Sequence, residues 1–215
     1  MPRFRALLAT AAVAGLALPA VALATLTDIG TGVPDAKPSC PDRPCLAVSR
    51  TTGYQAKVGT NRGLMTVPKD GRLVSWTVSL GKPGKKQVAF FNDKLGGKSQ
   101  AQITVLRMGR KLHARVVAQG PLMDLEPYFG QTVEFPLERS IEVKKGYVIA
   151  VTVPTWAPAL AVNLGGDTSW RAARKKGECE DTQAQTAQEA NAVAQFYCLY
   201  RTARLVYSAR VISTP

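Results

Sequence analysis

Lys144–Leu164 reads KKGYVIAVTVPTWAPALAVNL. A basic turn with Gly146 opens it, and a run rich in Val and Ile follows. Pro154, Trp156 and Pro158 then make a corner, and a second apolar run ends at Gly165. Short apolar runs rich in β-branched residues and bounded by Gly and Pro have the pattern of buried β-strands. The stretch is therefore read as two strands of an all-β domain joined by a stiff loop.

The rest of the chain agrees with that reading. Leu73 to Leu80, LVSWTVSL, alternates Val74, Trp76, Val78 and Leu80 with Ser75, Thr77 and Ser79, the mark of a half-buried antiparallel strand. Val67-Pro68-Lys69-Asp70-Gly71 is the turn before it. Further strands are expected at Leu46–Arg50, Tyr54–Val58, Gln87–Asn92, Thr132–Leu137 and Ser140–Val143. Gln102–Arg107 and Leu112–Gln119 are read as a hairpin across Met108-Gly109-Arg110. Leu199 to Ile212 reads as one long final strand, with Arg201 breaking the pattern on its apolar face. Between Gly165-Gly166 and Cys198 the alternation is lost. That segment is read as a long loop, with a short helix expected within Asp181–Ala194. Short strands separated by turns, without alternating helices, predict an antiparallel β-sandwich, jelly-roll-like, with a long disulfide-pinned loop before the last strand.

The ends of the chain bear on destination. Arg3 and Arg5, the apolar run Ala6–Leu18, Pro19 and Ala22-Leu23-Ala24 form a signal-peptide pattern with cleavage after Ala24. No later segment is apolar and long enough to cross a membrane. The expected organisation is a leader over residues 1–24, a flexible lead-in over 25–39 and one domain over 40–215. The four cysteines, Cys40, Cys45, Cys179 and Cys198, are then expected to be disulfide-bonded. Of three pairings, Cys40–Cys45 and Cys179–Cys198 are preferred because each closes a local loop. The spacing does not match a zinc finger.

The whole chain carries 28 Lys and Arg against 15 Asp and Glu. The leader removes two arginines and no acid, leaving 26 against 15, net +11. That balance favours anionic partners. The basic residues are scattered rather than gathered in an arginine-rich block, which argues against a dedicated nucleic-acid protein.

Several stretches resemble a group of uncharacterised exported β-sandwich proteins of actinobacteria. They are TTGYQ (Thr51–Gln55), VPKDGRLVSWTVSLGKP (Val67–Pro83), FFNDKLGG (Phe90–Gly97), KKGYVIAVTVPTWAPALAV (Lys144–Val162), DTSWRA and CLYRTARLVYSA. The resemblance implies an exported jelly-roll-like sandwich. It brings no activity, cofactor or catalytic residue with it.

Few residues suggest chemistry. His113 is the single histidine and lies in a basic alternating stretch. There is no G-x-S-x-G, H-E-x-x-H or phosphate-cradling glycine loop. Carboxylate pairs for a glycosidase would be Asp124 with Glu126, or Glu178, Glu180 and Asp181 around Cys179. Asn92-Asp93 and Gly165-Gly166-Asp167-Thr168 lack the carboxylate density of a calcium loop. No cofactor is expected. Aromatic residues near loops and strand ends are the candidate ligand contacts: Trp156, Tyr147, Trp170 and Tyr128, since flat rings stack on sugar faces. The leading expectation is an exported, non-enzymatic binding module that contacts an acidic envelope polymer or glycan. The alternatives are a secreted polysaccharide hydrolase and a structural surface protein.

Overall fold

A computed structural model describes residues 24–213. The expected leader lies outside them except for Ala24. The strands run β1 (Leu26–Ile29), β2 (Val48–Lys57), β3 (Gly71–Ser79), β4 (Gln100–Met108), β5 (His113–Gln119), β6 (Met123–Asp124), β7 (Thr132–Val143) and β8 (Val148–Ala157). After them come β9 (Leu160–Ala161), β10 (Ser169–Ala172), β11 (Val193–Gln195), β12 (Cys198–Arg201), β13 (Arg204–Leu205) and β14 (Tyr207–Ser213). One helix, α1 (Lys85–Lys94), lies between β3 and β4, and a 3-10 turn covers Glu126–Tyr128.

The strands pair antiparallel into a β-sandwich. One sheet has the order β1-β14-β3-β7; the larger has β11-β5-β4-β8-β2-β10-β12, with β6 added beside β4. β9 and β13 make a small ribbon of their own. Leu73, Trp76, Val78 and Val211 of the smaller sheet share one apolar core with Ile103, Val105, Ile149 and Val153 of the larger. A bond across that core joins the layers: the Tyr207 hydroxyl of β14 donates to the Ile149 carbonyl of β8 at 2.9 Å. Burial pushes the pKa of that hydroxyl far up, so it remains a donor.

The opening stretch supplies the centre of the larger sheet. β8 lies between β4 and β2 and is buried along nearly its whole length. A strand covered on both faces needs a nearly continuous apolar run, which VIAVTV provides, and its one polar residue, Thr152, is bonded to Thr52 and Thr104. Pro154 and Trp156 belong to the strand rather than to a loop. Proline has no N–H for the ladder and is tolerated in a sheet at a bulge. Here the register shifts between Ser49 and Thr51 of β2, opposite Trp156 and Val153, and Pro154 sits in that interval. The corner falls after Ala157, at Pro158.

Other departures have similar local causes. The two strands expected over 46–58 are one ten-residue strand, β2, in which Arg50 (φ 50°) alone stands opposite Pro154 and Thr155 of the bulged β8. β3 carries a register shift between Leu73 and Ser75. Leu73 and Trp76 are both fully buried while Val74 is not, although alternation had placed Val74 on the core side. The two strands expected over 132–143 are one strand, β7, with the extra residues of that irregularity on its side. Leu26–Ile29, within the expected flexible lead-in, is an edge strand paired in register with Ile212 to Ala209.

Gln87–Asn92, read as a strand, is helical. Gly84 is the N-cap, and its N–H donates to Gln87 Oε1 at 2.7 Å. Phe91 and Leu95, four residues apart, bury one face against Trp156 and Cys40. A run of four apolar residues, Val88 to Phe91, fits either period, and packing against Trp156 decides it. The expected helix within Asp181–Ala194 does not form. Those residues lie as a strap on β2 and β5. Thr186 N–H donates to Arg50 O, Gln188 N–H to Thr52 Oγ1, and Val116 N–H to Ala192 O. The strap meets a belt of side chains bonded across neighbouring strands: Thr52 to Thr152 at 2.8 Å, Thr104 to Thr152 at 2.7 Å, and Gln119 to Thr104 at 3.2 Å. The long final strand is divided into β12, β13 and β14, because the chain changes sheets after Arg201. Thr202 makes that break at φ 53°.

Both disulfides are the expected local ones, Cys40–Cys45 and Cys179–Cys198. Among the described residues no helix is long and apolar enough to cross a membrane.

Candidate functional site: an aromatic cleft with a buried arginine

The strand after the long loop begins at Cys198, and its cross-strand neighbour is β10. Their register sets Trp170 directly opposite Tyr200. The rings stack at 4.5 Å with planes 25° apart. Such offset pairs stabilise by about 0.5–1.5 kcal/mol beyond burial. The Tyr200 hydroxyl donates to the carbonyl of Cys179 at 2.6 Å, so the disulfide and the aromatic pair brace one another. Burial raises the pKa of this hydroxyl and Arg174 opposes the rise.

These rings wall a cleft of about 360 Å³. Its other sides come from Leu46 to Ser49, from Leu160, Val162 and Asn163, and from Arg201 to Ala203. A mostly apolar cleft of this size with a few convergent polar groups is the usual form of a small-ligand site. Arg174 lines it and is almost wholly buried. Its guanidinium donates to the carbonyls of Asp181 and Ala184 through Nη1, and to Ser49 O through Nη2 at 2.9 Å. Among the described residues no carboxylate lies within ion-pair distance of it. A buried cation held by carbonyl dipoles and a neutral tyrosine hydroxyl, with no carboxylate partner, keeps its attraction for an anion. Arg201 adds an exposed charge at the rim.

The backbone is strained at the same place. Asn163 (φ 58°) and Thr202 (φ 53°) both line the cleft. A left-handed conformation is costly for a β-branched residue such as threonine. Strain of this kind gathers at functional sites when surrounding structure imposes it. Here Leu164 N–H bonds Thr202 O, and Thr202 N–H bonds Thr168 O, each at 2.9 Å.

Of the four aromatic residues singled out in the sequence, the cleft takes Trp170. Trp156 is fully enclosed between Phe91 (4.8 Å) and Phe129 (5.6 Å), and offers no face to a ligand. Tyr128 packs edge-on against Phe135 at 5.3 Å. Tyr147 lines a separate depression with Lys144, Glu142 and Ile141. Tyr200, Arg174, Asn163 and Thr202 were not singled out as ligand contacts. Besides Trp170, the pattern-breaking Arg201 was the sequence signal that pointed there.

Of the candidate acids, Asp124, Glu126 and Asp181 are engaged elsewhere, while Glu180 lies close enough to Tyr200 to raise its pKa. Asp124 accepts from Gln100 at 2.7 Å and Glu126 from Asn92 at 3.4 Å. Asp181 accepts the N–H groups of Gln183 and Ala184 and closes a turn. With Glu178 and His113 it borders a larger polar cleft of about 720 Å³ beside the strap, where His113 Nδ1 lies 3.2 Å from Arg110 O.

Fold and cleft together define a class: a disulfide-stapled β-sandwich with an aromatic, cation-floored cleft at the β10–β12 end of its larger sheet. No protein-family model, curated protein or solved structure matches the chain.

Proposed function

We propose that this protein is an exported, non-enzymatic binding module that contacts an acidic glycan or envelope polymer through the Trp170–Tyr200 cleft. One observation carries the reading: Arg174, a buried guanidinium without a carboxylate partner, lies in a cleft walled by stacked aromatic rings. Sugar rings offer flat faces to aromatic side chains, and an acidic sugar adds the anion that Arg174 and Arg201 would receive. The net charge of +11 that remains without residues 1–24 (26 Lys and Arg against 15 Asp and Glu) draws such a polymer in from a distance. Export is supported by the leader pattern and by two disulfides that suit an oxidising compartment. The resemblance to exported actinobacterial sandwiches points the same way.

The test is co-sedimentation of the oxidised protein, lacking residues 1–24, with insoluble acidic polysaccharide, neutral polysaccharide and purified cell-wall material. Retention on the acidic material is expected at low salt, with a loss at high salt as surface charges are screened. Tyr200→Ala should weaken retention about tenfold while circular dichroism stays unchanged. Equal retention on neutral and acidic polysaccharide, or none on either, would sink the proposal.

A further inference from the structure

The helix α1 carries an exposed feature that neither the core nor the cleft uses. Two phenylalanines follow each other in it. Phe91 is buried against Trp156, whereas Phe90 points outward and is 58 % exposed. Lys86 and Lys94 lie four residues before and after Phe90, so all three fall on one line of the helix surface. Lys82, Lys85 and Lys98 flank the same segment and are exposed. Against these five lysines residues 82–98 hold one acid, Asp93, which pairs with Lys94 at 2.8 Å.

We infer that α1 is a peripheral contact for an anionic lipid bilayer, with Phe90 entering the interface and Lys86, Lys85 and Lys94 meeting the headgroups. The lysines alone would suit any polyanion. Phe90 selects the bilayer, because it stands on a convex helix surface outside the cleft, where a sugar would meet no enclosing wall, whereas in the headgroup region the ring leaves water. Lysine stems reach along an apolar surface while their ammonium groups stay with the phosphates. The surface needs no rearrangement of the fold, since Phe91 and Leu95 already anchor the opposite side of the helix. One aromatic wedge and a few lysines make a weak, reversible and salt-sensitive contact. This contact is separate from the cleft, so either can exist without the other.

Sedimentation with lipid vesicles tests it, using the oxidised protein lacking residues 1–24. Vesicles of pure phosphatidylcholine are compared with vesicles containing phosphatidylglycerol. Binding only to the second kind is expected. Lys86→Glu should lower it at least about fivefold, the effect of a single basic residue at the surface. Phe90→Ser should lower it about tenfold at constant salt. Leu122→Ser, at an exposed apolar residue outside α1, is the control and should leave it unchanged. Thermal melts check that each variant is folded. Binding that ignores lipid charge, or an equal loss with Leu122→Ser, overturns the inference. Full binding by Phe90→Ser would show a purely electrostatic contact with polyanions and overturns it as well. Arg201→Ala and Tyr200→Ala should not alter vesicle binding, which separates failure here from failure of the cleft.

Discussion

Trp156 and Trp170 are both buried, yet the regions around them differ in kind. The indole N–H of Trp156 donates to Asn92 Oδ1 at 2.8 Å and to Gly97 O at 2.9 Å. Phe91, Phe129, Leu95 and the Cys40 side chain close over its ring. Trp170 stacks on a half-exposed tyrosine, its N–H has no partner, and an arginine without a counter-ion stands beside it. The first region is complete in itself. The second leaves attraction unsatisfied, which is the physical condition for binding. An aromatic residue near a loop is thus evidence of a site only when its surroundings stay open.

That contrast is easiest to break by mutation. Trp156→Ala should be the most damaging change, destabilising by about 3–5 kcal/mol as a cavity opens under α1. Chemical denaturation would measure it. A loss below about 1 kcal/mol would mean the cluster is not a plug. Next comes the double change Cys179→Ser with Cys198→Ser. It should cost about 3 kcal/mol by freeing the loop of separation 19, and should also weaken polymer retention, by no more than Tyr200→Ala does, because Tyr200 loses its brace. Unchanged retention would separate the staple from the cleft.

Tyr207 gives a smaller, pH-dependent effect. Its pKa is raised by burial above the ordinary 10.0 that the unfolded chain keeps. As pH rises past about 10 the unfolded state loses this proton first, so stability is intact below that point and falls above it. The slope from this residue is about 1.4 kcal/mol per pH unit. Tyr207→Phe should flatten the alkaline fall, at a neutral-pH cost of about 1 kcal/mol for the bond to Ile149 O. Denaturant titrations at pH 8 and pH 11 read both. Last, Arg201→Ala at the exposed rim should shift stability by less than about 0.5 kcal/mol while weakening retention and its salt dependence. A larger effect on stability than on retention would remove Arg201 from the site.

The strands of the core were legible because their signal is local. The alternation of LVSWTVSL and the nearly continuous VIAVTV run each state how many faces are covered. Both disulfides were legible for the same reason, since each closes a short loop. The identity of the QVAFFN segment was not, because a short apolar run fits a helix or a strand until a neighbour such as Trp156 selects one. The strap over 181–192 was missed because polar bonds to Thr52, Thr51 and Arg50 hold it, and these leave no hydrophobic period. Trp170 was a visible candidate, but its partner Tyr200 stands thirty residues on and meets it only through the register of β10 with β12.

By itself the sequence determined an all-β chain with two local staples, a strongly basic balance and a leader-like start, because composition, spacing and period-two patterning are properties of neighbouring residues. Tertiary structure alone decided which tryptophan became a plug and which the wall of a cleft. It also decided that Arg174 would be buried without a carboxylate and that α1 would turn Phe90 outward. Those outcomes depend on which distant segments share a space, and burial, stacking and desolvation exist only once they do.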